Sequence, residues 1–234
     1  MPAHPAVSRT VPAETFHLTV NGLPQAARFA KEDIDGALRP LAHRILLAGP
    51  GPVLVAGPPG SGKTTVALVL EELCKAEGKR VPALSMDGFH RSNAWLETHG
   101  LLRRKGAPET YDFPGLRRAL IHPDPWPVYS RVAHDVVGDT VAVTCPTYIV
   151  EGNYLLLDEE PWRGLAPLSP LTVWVEVDPA LLRERLVGRK VAGGMARPDA
   201  ERFFEASDSL NVRRCLERRL PADVELRLTP AEEL

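Results

Sequence analysis

The chain reads as an α/β protein, with a parallel sheet covered by helices on both faces. Three observations predict this. From Gly49 onward, short apolar runs alternate with segments of helical spacing. The first apolar run feeds a glycine-rich turn that opens a helix. Two later runs end in acidic residues, Asp87 and Glu151, at the carboxyl edge where such sheets bind ligands.

The elements follow in chain order. Residues 1–14 are expected to be mobile. TFHLTVNGLPQAARF carries two strand-like runs around Asn21-Gly22, a pair that favours a tight hairpin. KEDIDGALRPLAHRILLA has helical spacing through Ile34, Leu38, Leu41 and Ile45, and Pro40 is expected to kink or divide it. Residues 15–49 therefore form a small hairpin-and-helix appendage, and residues 50–234 the main domain. In that domain PVLVA is a buried strand and GKTTVALVLEELCKAEG a helix stopped by Gly78. VPALSM is the next strand, PGLRRALI a helix, and TYIVE and LTVWVEV further strands. DPALLRERLVGRK opens with Asp178 as N-cap and Pro179 at the first helical position. DAERFFEASDSLNVRRCLERRL reads as one long helix, and ADVELRL as the closing strand.

Composition narrows the function classes. A formal net charge of −2 over 234 residues gives no footprint for nucleic acid. No apolar run approaches the roughly 18 residues of a membrane span, and the first residues lack the pattern of a secretory signal. Three widely spaced cysteines, Cys74, Cys145 and Cys215, point to reduced thiols and a cytoplasmic setting.

The turn after the first strand is GPPGSGKT, the pattern G-x-x-x-x-G-K-[ST] between a strand and a helix. Gly57, Pro58, Pro59, Gly60, Ser61, Gly62, Lys63, Thr64 and Thr65 are the expected ATP-binding residues. Glycines let the backbone wrap a phosphate, and successive N–H groups at a helix N-terminus point at the anion. Lys63 reaches the β- and γ-phosphates, and Thr64 ligates Mg²⁺. There is no NKxD for guanine and no LSGGQ-like signature of a transport ATPase. Asp87 lies in SMDGFH, where Asp-Gly by itself signals only a turn. Its place at a strand end, on the edge that carries the phosphate cradle, is expected to bring it with Glu151 into the same crevice as the triphosphate.

GPPGSGKTT, MDGFH, GLLRRKGAPETYD, PVYS, IVEGNYLLLD and RERLVGRKVAGG, in that order, resemble the superfamily of phosphoribulokinase, uridine kinase and bacterial type I pantothenate kinase. The branch it is most similar to is the uridine kinase-like or fructose-transport-system kinase-like kinases. The resemblance implies a P-loop NTPase three-layer sandwich, sheet order 2-3-1-4-5, with a lid at about residues 185–198. It implies transfer of the ATP γ-phosphate to a hydroxyl of a nucleoside, pantothenate or a sugar. It makes Asp87 the base and, with Thr64 and Glu151, part of the Mg²⁺ set. It makes Arg185 and Arg189 charge-neutralising lid residues, and places His90, Arg104, Tyr111 and Arg131 at the acceptor. Gly193-Gly194 is the expected hinge, Asp208 and Asn211 fall in a segment near the adenine, and homodimers are frequent among such kinases. The chain departs from the pattern at Lys190, where these kinases often carry histidine, and it is shorter than pantothenate kinases around the acceptor.

The bland readings are a solvated basic face for Arg103-Arg104-Lys105 and for Arg185 and Arg189, which at i, i+4 share a helix face. The rival function is a regulatory P-loop ATPase that binds nucleotide without a small-molecule acceptor. The acidic strand ends and lid arginines weigh against it.

Overall fold

The structure is a computed structural model and describes residues 12–20, 23–123, 125–130 and 132–229. The Asn21-Gly22 turn, Arg131 and residues 1–11 of the segment expected to be mobile lie outside the described residues.

The chain opens with an antiparallel hairpin, β1 (Ala13–Val20) and β2 (Leu23–Ala30). Ala13 and Glu14 already belong to β1, because they pair with Ala30 and Phe29. That corrects the mobile boundary at residue 14. A helical run follows: α1 (Lys31–Asp33), a π-turn over Ile34–Leu38, and α2 (Arg39–Leu47). Pro40 has no N–H to offer the Gly36 carbonyl, and just before it Arg39 N–H reaches back five residues to the Ile34 carbonyl. The expected break at Pro40 is thus met by a wider turn.

The central sheet has five parallel strands: β3 (Gly51–Ala56), β4 (Ala83–Ser85), β7 (Thr147–Gly152), β8 (Leu171–Glu176) and β9 (Val224–Arg227). Their order is β4-β7-β3-β8-β9. Counted from β3 within the kinase core, this is the expected 2-3-1-4-5. Helices α3 (Lys63–Ala76), α4 (Asn93–Thr98), α5 (Phe113–Ala119), α6 (Pro179–Ala192), α7 (Arg197–Phe203) and α8 (Ser209–Glu217) surround it. Asp178 caps α6, its carboxylate accepting from Ala180 N–H at 2.9 Å, and Gly78 adopts positive φ just past α3.

Strand alternation divides the core. Val53, Val55, Ile149 and Val173 face one side, where they join Leu18, Ala27, Ile34, Leu38, Leu41 and Ile45 of the leader and Val66 and Leu70 of α3. Leu54, Ala56, Val150 and Trp174 face the other, against Met86, Leu116, Trp126 and Tyr154. The leader is packed onto one face of the sheet by its own apolar residues.

Two segments depart from the expected elements. Residues 199–220, expected as one helix, are split into α7 and α8 by a π-turn over Phe204–Asp208. In an uninterrupted α-helix Phe204 and Val212 would lie about 80° apart. The extra residue brings both onto the cluster formed with Leu182, Leu186, Val187 and Ala200. A second antiparallel hairpin, β5 (Trp126–Ser130) and β6 (Asp135–Val141), has no counterpart in the sequence reading, because Pro127 and Gly138 mask its strand character.

Candidate active site

The cradle is built as its sequence dictates. β3 ends at Ala56, the loop turns through Gly60 and Gly62, each at φ +84°, and α3 begins at Lys63. A side chain at Gly57 would meet Ser61 Oγ at 2.7 Å and the Val175 carbonyl at 3.1 Å. One at Gly60 would meet Leu186 at 3.1 Å, so the loop is pressed against α6. Ser61 Oγ is buried with no hydrogen-bond partner among the described residues. A buried hydroxyl left over in a glycine-rich loop at a helix N-terminus is what a phosphate oxygen would satisfy.

Beside the loop, β4 and β7 run parallel with Ser85 opposite Glu151. Glu151 is buried, and its carboxylate accepts from the hydroxyls of Ser85 and Thr64. Burial pushes the Glu151 carboxyl above its ordinary range, and the nearby Lys63 ammonium opposes that. Burial likewise pulls Lys63 below its ordinary value, against the charges of Glu151 and then Asp87. Arg189 is near enough to add repulsion at Lys63. Among the described residues no three His, Cys, Asp or Glu side chains gather as a metal site. A hydroxyl beside a carboxylate, Thr64 and Glu151, is instead the partial oxygen set that Mg²⁺ takes when phosphates complete its shell.

Asp87 stands on a tight turn, Met86–Phe89. Ser85 Oγ accepts from Asp87 N–H at 3.2 Å and fixes the turn. A side chain on Gly88 would strike the Pro127 carbonyl oxygen at 2.0 Å, because β5 crosses directly over it. A side chain on Gly152 would strike Met86 Sδ at 2.0 Å. Glycine is required at both positions for strand ends and turn to meet. Trp126 Nε1 donates to the Ser85 carbonyl at 2.8 Å and ties β5 to the same corner.

Around the Asp87 carboxylate the sequence-predicted residues separate. Tyr111 donates its hydroxyl to Asp87 Oδ1 at 3.3 Å. His90 Nε2 lies 3.7 Å from the same oxygen, and its ring stacks on Tyr111 with centroids 4.0 Å apart. The bridge His90↔Tyr111 brings MDGFH against ETYD. Arg104 instead sits on an exposed turn paired with Glu109. Arg185 lines a cavity on the other side of the cradle. Asp208 pairs with Lys190 at 3.5 Å, burial pushing its carboxyl up and that lysine pulling it down. Lys190 also lies over the Phe203 ring at 3.7 Å, so it ties α6 to α7 and to the π-turn that follows it.

Two residues at this corner, Ser85 and Tyr129, carry no role in the sequence reading, and a third, Lys105, stands there only within the basic run Arg103-Arg104-Lys105. Ser85 holds both Glu151 and the Asp87 turn. Tyr129 flanks His90 with centroids at 5.1 Å. Lys105 lies over Tyr129 and donates to Asn93 Oδ1 at 2.6 Å. Tyr129 falls in PVYS and Lys105 in KGAPETYD, so motif membership was the available signal.

The chain matches no family model. It is 40% identical over 226 residues to the uncharacterized protein YggC of Escherichia coli (strain K12), covering 92% of this chain and 95% of that one. It is 36% identical over 159 residues to the pantothenate kinase of Rhodopseudomonas palustris (strain BisB18). That match takes in 59% of this chain and 49% of the enzyme, so the chain spans about half the length of that relative. Among solved structures, a protein of Silicibacter sp. TM1040 provisionally assigned as a fructose transport system kinase is 36% identical, with a TM-score of 0.75. The match covers 81% of this chain and 98% of that one. With two such proteins matched over nearly their whole lengths, the 2-3-1-4-5 sheet and the phosphate cradle in place, the chain belongs to the P-loop kinases of the phosphoribulokinase, uridine kinase and type I pantothenate kinase superfamily, ATP-dependent enzymes with an alcohol group as acceptor.

Proposed function

We propose that the protein transfers the ATP γ-phosphate to a hydroxyl of a small metabolite held against Asp87, within the class spanned by nucleosides, pantothenate and sugars. The observation that carries this reading is the half-buried Asp87 carboxylate, in contact with Tyr111 and His90 and within electrostatic reach of Lys63 and Glu151. A regulatory ATPase has no need of a carboxylate aimed into a second, aromatic-lined corner.

In this reading the triphosphate lies along Gly57–Thr65 and its added negative charge keeps Lys63 protonated. Thr64 and Glu151, with Asp87 nearby, would hold Mg²⁺, which would supply charge neutralisation for the transferring phosphate. Arg189, whose charge reaches Lys63, meets the remaining charge, while Arg185 lines the cavity beyond the cradle and stands outside this set. Tyr111 and His90 orient the Asp87 carboxylate. The acceptor oxygen forms a bond to the γ-phosphorus as the bond to the ADP oxygen breaks, and the hydroxyl proton passes to Asp87. Movement at Gly193-Gly194, which form the turn between α6 and α7, would exclude water. Arg104, exposed and paired with Glu109, stands outside this set.

The test is an assay with γ-labelled ATP, Mg²⁺ and a panel of pantothenate, nucleosides and sugars. Label appearing in one small molecule is the expected result. Release of labelled phosphate alone, at a rate no panel member alters, would favour the regulatory ATPase.

A further inference from the structure

A cavity of about 780 Å³ opens on the side of the cradle away from Asp87. One wall is the cradle itself, Gly60, Ser61, Gly62 and Thr65. A second is the end of β8 with the start of α6, and a third the end of β9. The fourth wall is unexpected. It is β2, residues 25–29, from the N-terminal hairpin, for which the kinase chemistry above has no use.

The direction of the loop says what belongs there. Lys63, Thr64, Glu151 and Asp87 mark the γ end of the triphosphate. Thr65, one residue further along α3, lines the cavity, so a chain of phosphates running from Lys63 over the cradle leads into it. The volume suits a nucleoside, and the lining mixes apolar surface (Ala27, Phe29, Val177) with polar groups (Gln25, Thr229), as a base and ribose require.

The hairpin is held rigidly enough to serve as a wall. Leu18 and Ala27 are buried in the same cluster as Val66 of α3. Phe16 and Phe29 meet edge to face at 6.0 Å. At the far end of the run Thr229 N–H donates to Asp33 Oδ2 at 2.8 Å, tying the leader to the segment after β9 that also lines the cavity. Register sets which side chains face inward. Phe16 pairs with Ala27 and Leu18 with Gln25, so Gln25, Ala27 and Phe29 share the inner face with Leu18.

We infer that the N-terminal hairpin is part of the nucleotide site: β2 closes the cavity that receives the nucleoside of ATP, and Gln25 and Phe29 help set nucleotide affinity. This rests on the ATP-binding reading of the cradle and assigns the leader a role in it. Gln25 is exposed within the cavity and can be enlarged without entering the core. Thr19, exposed on the opposite face of the hairpin, is the control.

The experiment measures binding of MgATP and of inorganic tripolyphosphate to the wild type, Gln25→Trp and Thr19→Trp by calorimetry. Gln25→Trp is expected to weaken ATP at least tenfold while leaving tripolyphosphate within twofold, with Thr19→Trp unchanged for both. Wild-type affinity for ATP in Gln25→Trp would overturn the hairpin's role and leave the cradle standing. Equal weakening of both ligands would also overturn it, because the change would then act through the loop. A wild type that binds neither ligand would overturn the underlying ATP-binding reading.

Discussion

At the scale of single residues, the chemistry rests on a few side chains whose positions are over-determined. Asp87 is fixed by Ser85 Oγ at its backbone and by Tyr111 at its carboxylate. Replacing one carboxylate oxygen by an amide removes the proton acceptor and changes little else in shape. Asp87→Asn is expected to lower kcat about 10²–10⁴-fold while ATP affinity stays near the wild-type value. Turnover with an identified acceptor, alongside the ATP dissociation constant, checks this; unchanged kcat would remove Asp87 from the base role. The sequence showed Asp87, Lys63 and Glu151 because each ends or begins a patterned element. Ser85 and Tyr129 stood in quoted motifs without a role, since a serine or tyrosine acquires one only from the neighbour the fold supplies.

At the scale of elements, the corner around Asp87 depends on backbone approach. β5 lies so close over the Met86–Phe89 turn that no Cβ fits at Gly88. The obstacle is the Pro127 backbone carbonyl, which cannot swing aside as a side-chain tip would. Gly88→Ala is therefore expected to destabilise the fold by about 1–3 kcal/mol and to lower activity beyond the loss of folded protein. Thermal unfolding combined with kcat on the folded fraction measures both, and a variant equal to the wild type in each would show that β5 yields. The sequence gives a glycine after aspartate, which any turn would explain. The closeness of β5 was not legible, because Pro127 hides the strand and its partner β6 lies beyond a loop. The π-turns were illegible for a related reason. Local spacing predicts an uninterrupted helix, and the demand that Phe204 and Val212 share a face comes from α6.

At the scale of the whole molecule, charged side chains tie distant segments. Glu159, after β7, accepts from Arg214 Nε at 3.1 and 3.0 Å and from Arg218 Nη1 at 3.2 Å, joining that loop to α8. The hydrogen bonds from Arg214 hold its carboxyl below the ordinary glutamate value. A carboxyl lowered in the folded state contributes stability that is complete above its unfolded pKa and is lost as pH falls through the folded one. Glu159→Gln is expected to cost about 1 kcal/mol at neutral pH, with the gap to the wild type closing as pH drops below the usual carboxylate range. Melting temperatures of both proteins between pH 7 and pH 3 test the sign; a gap that widens on acidification would reverse it. At this scale too, the leader proves to share the main apolar cluster with β3 and α3.

By itself the sequence determined the α/β class, the strand-to-helix cradle and the acidic strand ends, because each is a local pattern: alternation, glycine spacing, a charge closing an apolar run. The kinase superfamily was legible in the order of those patterns. Tertiary structure alone decided which residues share the Asp87 corner, how close β5 comes to Gly88, and where the N-terminal hairpin lies against the cradle. Those are contacts between segments far apart in the chain, and packing, which no local spacing encodes, sets them.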